Sequence, residues 1–276
     1  MLAVTQLMVV PLVAALLLLT IHAYLGIHII ARGVIFVDLA LAQMAALGFT
    51  ISPYLGFEPG SVPTYLVSVG ATLVGAVFLS FSRLKHDRVP QEALIGVLFV
   101  AASAATILLA SQSPAGSEHV AELLTGTLLW VTWSDISNTA LIYGGVGLVH
   151  WFLRDRFLTI SLNHERAEAE GWALRWWDFV FYGLFGIVVT SAVGIAGVLL
   201  VFSFLVIPAA VAFLFTSRPS HLLAIGWAVG ALSIAVGLGI SFRFDLPTGP
   251  VIVCVFALAL TLAILFRIVR EPRAPR

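Results

Sequence analysis

The chain has 276 residues, of which 61% are hydrophobic and only 10% charged, and its formal net charge is zero. An ordinary soluble domain carries about 25% charged residues, so a composition this apolar excludes a water-soluble fold, and the absence of a basic excess excludes a nucleic-acid surface. The single cysteine, Cys254, excludes an intramolecular disulfide and a cysteine metal cluster.

A membrane-crossing helix needs about 20 mostly apolar residues. Length, freedom from charge and Gly/Pro or polar flanks predict nine such segments in chain order. They run over about Leu7–Ala31, Val34–Leu55, Val62–Ser82, Ala93–Ser111 and Ile136–Leu153, then Trp176–Val193, Val198–Phe215, His221–Phe242 and Pro250–Ile268. The first is too long for a signal-peptide core, lacks a basic leader and is expected to be retained. Between the sixth and seventh, Gly194-Ile195-Ala196-Gly197 is a very short link, and a re-entrant segment there would reduce the count to eight. The expected fold is thus an all-α transmembrane bundle forming one domain, residues 1–276.

The basic residues orient this bundle. With nine crossings, Arg32, Arg83, Lys85, Arg88, Arg154, Arg156, Arg166, Arg175, Arg218, Arg267, Arg270, Arg273 and Arg276 fall on one side, and Arg243 alone on the other, out of 14 Lys and Arg in all. The positive-inside rule makes the first side cytoplasmic, with the N-terminus outside and the C-terminus inside.

Two stretches between the crossings are long enough to carry function. The cytoplasmic one, Arg154–Arg175, contains Asn163-His164-Glu165-Arg166-Ala167-Glu168-Ala169-Glu170-Gly171, which reads as a short helix capped by Asn163 and stopped by Gly171. It is either a solvated interfacial helix or a docking surface. The outer one, Gln112–Asp135, places Glu118 and Glu122 four residues apart on one helical face, with His119 facing elsewhere. It is a solvated amphipathic loop with Trp130 and Trp133 at the headgroups, or an acidic funnel with weak affinity for metal.

Asp38 is the most informative intramembrane residue. A carboxylate inside a crossing costs at least about 2.5–3.5 kcal/mol, so it faces a bundle interior and has a task. Gln43 follows it by five residues, roughly 140° around an ideal helix, which makes the two poor co-ligands on one straight helix. His22 and His28 lie six apart in the first segment, as hydrogen-bonded structural residues or as imidazole ligands. His150 and Asp178 read as boundary residues. No phosphate-binding loop, nucleophile elbow or H-E-x-x-H is present, so the chain itself does not hydrolyse ATP.

The order of these features resembles the membrane permeases of ABC importers for zinc, manganese and iron, from about Leu12 to Phe266. Five stretches carry the resemblance. They are Leu25-Gly26 with the Arg32 turn and Asp38–Gly48; Gln91–Phe99; Leu123–Leu129; Leu162–Gly171; and Gly194–Val201 with Leu205–Ala210. Asp245–Pro250 closes the match. The family has an Asp-x-x-x-His pattern before the glycine matched by Gly48. Here the histidine position falls on Gln43 and the aspartate position on Leu39, one residue after Asp38, so the usual site is altered.

The resemblance implies a permease with no bound cofactor of its own. It implies a second permease copy, a cytoplasmic ATPase subunit that binds ATP, and an extracytoplasmic metal-binding protein. The transported divalent ion, or a metal chelate, would cross at the dimer seam in the inner membrane of a prokaryote. Candidate metal residues are Asp38, Gln43, His22, Glu118, His119 and Glu122. ATPase coupling falls to residues 161–171, with Asn163, His164, Glu165, Arg166, Ala167, Glu168 and Gly171 named for it. The competing readings are an ATPase-independent secondary transporter or channel, and a non-transporting membrane relative.

Overall fold

The computed structural model describes residues 2–82, 89–113 and 116–270, and every element among them is helical. The basic cluster Arg83–Arg88 and the tail beyond Arg270 lie outside the described residues. The elements are α1 (Leu2–Arg32), α2 (Val37–Ile51), α3 (Val62–Phe81), α4 (Gln91–Ala110), α5 (Gly116–Thr125) and α6 (Trp133–Phe152). There follow α7 (Arg154–Leu162), α8 (His164–Ala169), α9 (Leu174–Phe215), α10 (Pro219–Phe244) and α11 (Thr248–Arg270). Short 3₁₀ turns sit at Ser52–Leu55 and Leu128–Trp130.

Six helices, α1, α3, α4, α9, α10 and α11, are long and apolar enough to cross a membrane, and a seventh segment qualifies if α6 and α7 are taken together across their 75° bend. The remaining segments fall short for physical reasons. α2 is only 15 residues long and carries Asp38. α6 is interrupted by polar residues, and the sixth and seventh expected segments run together as α9.

That 42-residue helix is two helices joined at Gly197, whose φ of 73° and ψ of 162° are non-helical. Asp178, near its start, pairs with Arg32 at the end of α1. Leu205, past the break, packs its carbonyl against Gly26 of the same helix. A straight helix would hold residues 178 and 205 roughly 40 Å apart, whereas residues 26 and 32 are separated by only about 9 Å along α1. The chain therefore doubles back at Gly197, which only a glycine backbone permits cheaply. The short link expected at 194–197 is this reversal.

Both halves of α9 pack on α1, α2, α3, α10 and α11 as a group, and supply much of the buried core, including Phe181, Phe185, Phe204 and Leu205. Small residues set the closest approaches. A Cβ on Gly48 would strike the Ser68 backbone, and one on Gly186 would stand 3.2 Å from Thr72. Membrane helices associate through such close packing because lipid provides no hydrophobic drive.

Candidate functional site

The acid in α2 sits in its first turn, fully buried where α2 packs on α3, α4 and α9. The helix dipole favours a carboxylate there. Neither oxygen of Asp38 has a hydrogen-bond or charged partner among the described residues. A buried charge without a partner costs several kcal/mol and persists where it serves a purpose. The turn leading into α2 is held by Glu92, whose Oε1 accepts the Ile35 backbone N–H at 2.8 Å. Gln43, five residues on and so roughly 140° around α2, is also buried.

The half of the bundle away from α7 and α8, its outer half in the expected orientation, contains two neighbouring polar cavities among the described residues. One, of about 510 Å³, lies between α3, α6 and the first half of α9, with polar lining from Tyr65, Asp135, Asn138, Thr139, Thr190 and Ser191. The other, of about 240 Å³, is lined by His119 and Glu122 of α5. They share Phe49, Gly60 and Gly194, so they lie side by side as two parts of a vestibule. Neither is lined by Asp38 or Gln43. Glu118 is exposed and lines neither. His119, expected to face elsewhere than the two acids, lines this cavity together with Glu122, whereas Glu118 does not. His119 and Glu122 are three residues apart, about 60° around the helix, so they share the cavity face. No group of three or more metal-ligating side chains occurs among the described residues.

The histidines behave differently from one another. His22 donates from Nδ1 to the Leu18 carbonyl at 2.7 Å, a helix-internal bond, and stacks at a tilt near Tyr143. His28 Nδ1 lies 2.9 Å from Ser161 Oγ. His150 and Asp178 are not boundary residues: both are buried. His150 packs among Tyr24, Phe157 and Phe181, and Asp178 accepts from Arg32 Nη1 at 2.8 Å. The reason is α7, which folds back across this end of the bundle and covers them.

The arm beneath the bundle has the expected caps. Asn163 Oδ1 accepts the Arg166 backbone N–H at 3.3 Å, Arg166 pairs with Glu170 at 2.7 Å, and Gly171 ends the helix at φ 74°. Glu165, Arg166 and Glu168 are exposed, and Ala167 is buried against the arm. Among elements, α8 packs chiefly on α7.

Three stretches that are distant in sequence meet at the end of the bundle opposite α7 and α8. Gly126 and Gly197, both with positive φ, abut backbone to backbone, and the Thr127 N–H donates to the Ile195 carbonyl at 3.0 Å. Gly249, at the start of α11, abuts the Thr125 carbonyl. A model of the ABC 3 transport family matches residues 4–267. The chain belongs to that family. A manganese transport system membrane protein of Listeria innocua is 31% identical over 245 residues, covering 86% of each chain. A chelated iron transport system membrane protein of Yersinia pestis is 22% identical over 254 residues, 92% of this chain and 83% of that one. Among solved structures, a chain of PsaBC from Streptococcus pneumoniae, in complex with Fab, superposes with a TM-score of 0.77 at 21% identity. It covers 92% of this chain and 90% of that one, a likeness of fold. The ABC 3 chain is thus a membrane permease related to metal transport proteins across nearly its whole length.

Sequence reasoning named His119 and Glu122 of the vestibule lining but not the polar side chains of α3, α6 and α9. A signal was present: Asp135, Asn138, Thr139 and Ile142 recur at helical spacing along α6, as do Thr190, Ser191, Gly194 and Ile195 along α9.

Proposed function

We propose that this chain is the membrane permease of an ATP-driven importer for a divalent metal ion or a metal chelate, and that Asp38 meets the cargo inside the membrane. The observation that carries this reading is the fully buried, unpartnered Asp38 carboxylate in a family whose relatives are named for manganese and chelated iron transport. A divalent ion does not cross hydrocarbon bare; it exchanges water for ligands held weakly enough to let go.

In this reading the two halves of α9 cross separately, and α2 and α6 cross as short or polar segments, giving nine crossings. Thirteen of the 14 basic residues then face the cytoplasm. The vestibule with His119, Glu122 and Asp135 receives the ion from an extracytoplasmic binding protein. A second copy of the chain supplies a second Asp38, so two carboxylates balance one dication. A separate ATPase subunit docks on Asn163–Gly171, and its closure drives the switch between outward and inward openings of the permease in the cytoplasmic membrane. The donors that α2 offers, the Asp38 carboxylate and the Gln43 amide oxygen, are oxygen atoms, which suit manganese better than zinc.

The test is uptake of radioactive manganese by the reconstituted complex. Asp38→Asn is expected to lower it by about tenfold or more, as loss of a ligand worth over 1.4 kcal/mol would. Unchanged uptake would remove Asp38 from the pathway. Excess zinc is expected to compete poorly.

A further inference from the structure

We propose that Ser161 and Arg32 form the pin through which movement of the α7–α8 arm reaches the membrane helices. They act as positioning residues for transport rather than as ligands of the cargo. The proposal rests on the docking role given to α8 above.

Begin with where a push on α8 can go. α8 is a short, mostly exposed helix stiffened by the Asn163 cap and the Arg166–Glu170 pair, and its main packing partner is α7. The chain leaving α8 is tied to the same helix, because Arg156 lies over the Trp172 ring at 4.1 Å. Displacement of α8 therefore passes into α7. α7 in turn rests on α1, α6 and the start of α9.

Two kinds of contact join α7 to those helices. The first is apolar: Phe157, fully buried, packs edge-on against Trp177 and Phe181 and at a tilt on His150. Such contacts resist separation but permit sliding. The second is directional. Ser161, in the last turn of α7, accepts from Arg32 Nε at 2.8 Å and shares a 2.9 Å hydrogen bond with His28 Nδ1, whose direction follows the imidazole tautomer. Two side chains one turn apart on α1 thus grip one hydroxyl. Arg32 continues the line: Nη1 bonds Asp178 at 2.8 Å, and the guanidinium lies 3.9 Å over the Phe181 ring. Both side chains of the Arg32–Asp178 pair are 1% exposed. One guanidinium therefore connects the arm to both α1 and α9, the helix that reverses at Gly197 beside the outer vestibule. A buried ion pair is weak evidence of stabilisation, since well-packed apolar residues often serve as well; its directional geometry is what a register-fixing link requires.

The experiment uses the whole complex, captured through a tag on the permease and reconstituted in liposomes with manganese chloride as cargo. The readout is manganese carried per ATP hydrolysed. Ser161→Ala removes the shared hydroxyl and leaves the Arg32–Asp178 pair in place. It is expected to lower the ratio by about fivefold or more while ATP hydrolysis continues and the melting temperature barely moves. Arg32→Lys keeps the buried charge facing Asp178 but loses the planar fork that serves Ser161 and Asp178 at once, and is expected to lower the ratio by a smaller factor. Should Ser161→Ala not assemble, Arg32→Lys reads the same ratio. A wild-type ratio in the assembled variants would overturn the pin and leave the cluster as a packing feature. Failure of the docking assignment looks different: the complex lacking Asn163–Gly171 would still retain its ATPase.

Discussion

The first half of α9 ends in two junctions built on opposite principles. At its outer end, Gly197 meets Gly126, and Gly249 closes on Thr125, all through main-chain atoms. At its inner end, Asp178, Arg32, Ser161 and His28 meet through charged and polar side chains. Each junction gathers segments that are far apart in sequence. The outer one works because side chains are missing, so it tolerates no added atom. The inner one works because side chains match, so it tolerates change only where donors and acceptors remain paired.

The outer junction is the easier to break. Gly197→Val adds a β-branched side chain at φ 73°, a region nearly restricted to glycine, and its Cβ would lie 2.7 Å from the Leu124 carbonyl oxygen. The backbone strain costs roughly 1–3 kcal/mol and the overlap with unyielding main chain adds about as much again or more. We expect no monodisperse protein on size-exclusion chromatography in detergent. A well-folded Gly197→Val variant would show that the reversal can be made without glycine.

The inner junction should fail next. Asp178→Asn leaves the Arg32 guanidinium buried without its counter-charge, and breaking one side of a buried pair costs about 3–5 kcal/mol. Denaturant unfolding in detergent checks this. A loss well under 1 kcal/mol would mean that water or other groups already compensate Arg32, and that the two junctions do not differ as described.

The two junctions also differ in how far they can be read without coordinates. The outer one was legible as a family pattern: Leu123–Leu129, Gly194–Val201 and Asp245–Pro250 stand out for their glycines, and the break near Gly197 follows from a link too short for a loop. Their meeting in space was not legible, because backbone-to-backbone contact leaves no complementary pair in the sequence. The inner junction was misread. His150 and Asp178 lie near the ends of apolar segments, where a boundary position is the simplest reading, and only the return of α7 beneath the bundle buries them. Asp38 was legible because a lone acid in an apolar run has one physical explanation, an inward face, and it is buried. Of the vestibule, His119 and Glu122 were legible as polar residues of the outer stretch, but the α9 wall was not, since Thr190 and Ser191 also satisfy their hydroxyls on their own helix, as lipid-facing or packed residues do equally well.

A smaller effect tests the arm attached to the inner junction. Asn163→Ala removes the side-chain acceptor of the Arg166 N–H and is expected to cost α8 about 1 kcal/mol. Because α8 packs chiefly on α7, the loss should be local: faster amide hydrogen exchange across residues 164–170 with the membrane helices unchanged. Exchange that speeds up in α1 or α9 as well would mean that the arm is less separable than its packing implies.

The smallest effect carries the opposite sign and sharpens what glycine does at the outer junction. Gly70, in the middle of α3, is exposed; a Cβ there would meet nothing within 4 Å, and its φ is not positive. Alanine at this position reduces the freedom of the unfolded chain without meeting a neighbour, so Gly70→Ala is expected to raise stability by about 0.5–1 kcal/mol. The same added atom therefore strengthens the fold at one glycine and destroys it at another, according to whether main chain stands opposite. A loss of stability at Gly70 in the assembled complex, against a gain in the isolated permease, would place this face of α3 against a partner subunit. Close approach through glycine would then be a device of assembly as well as of the fold.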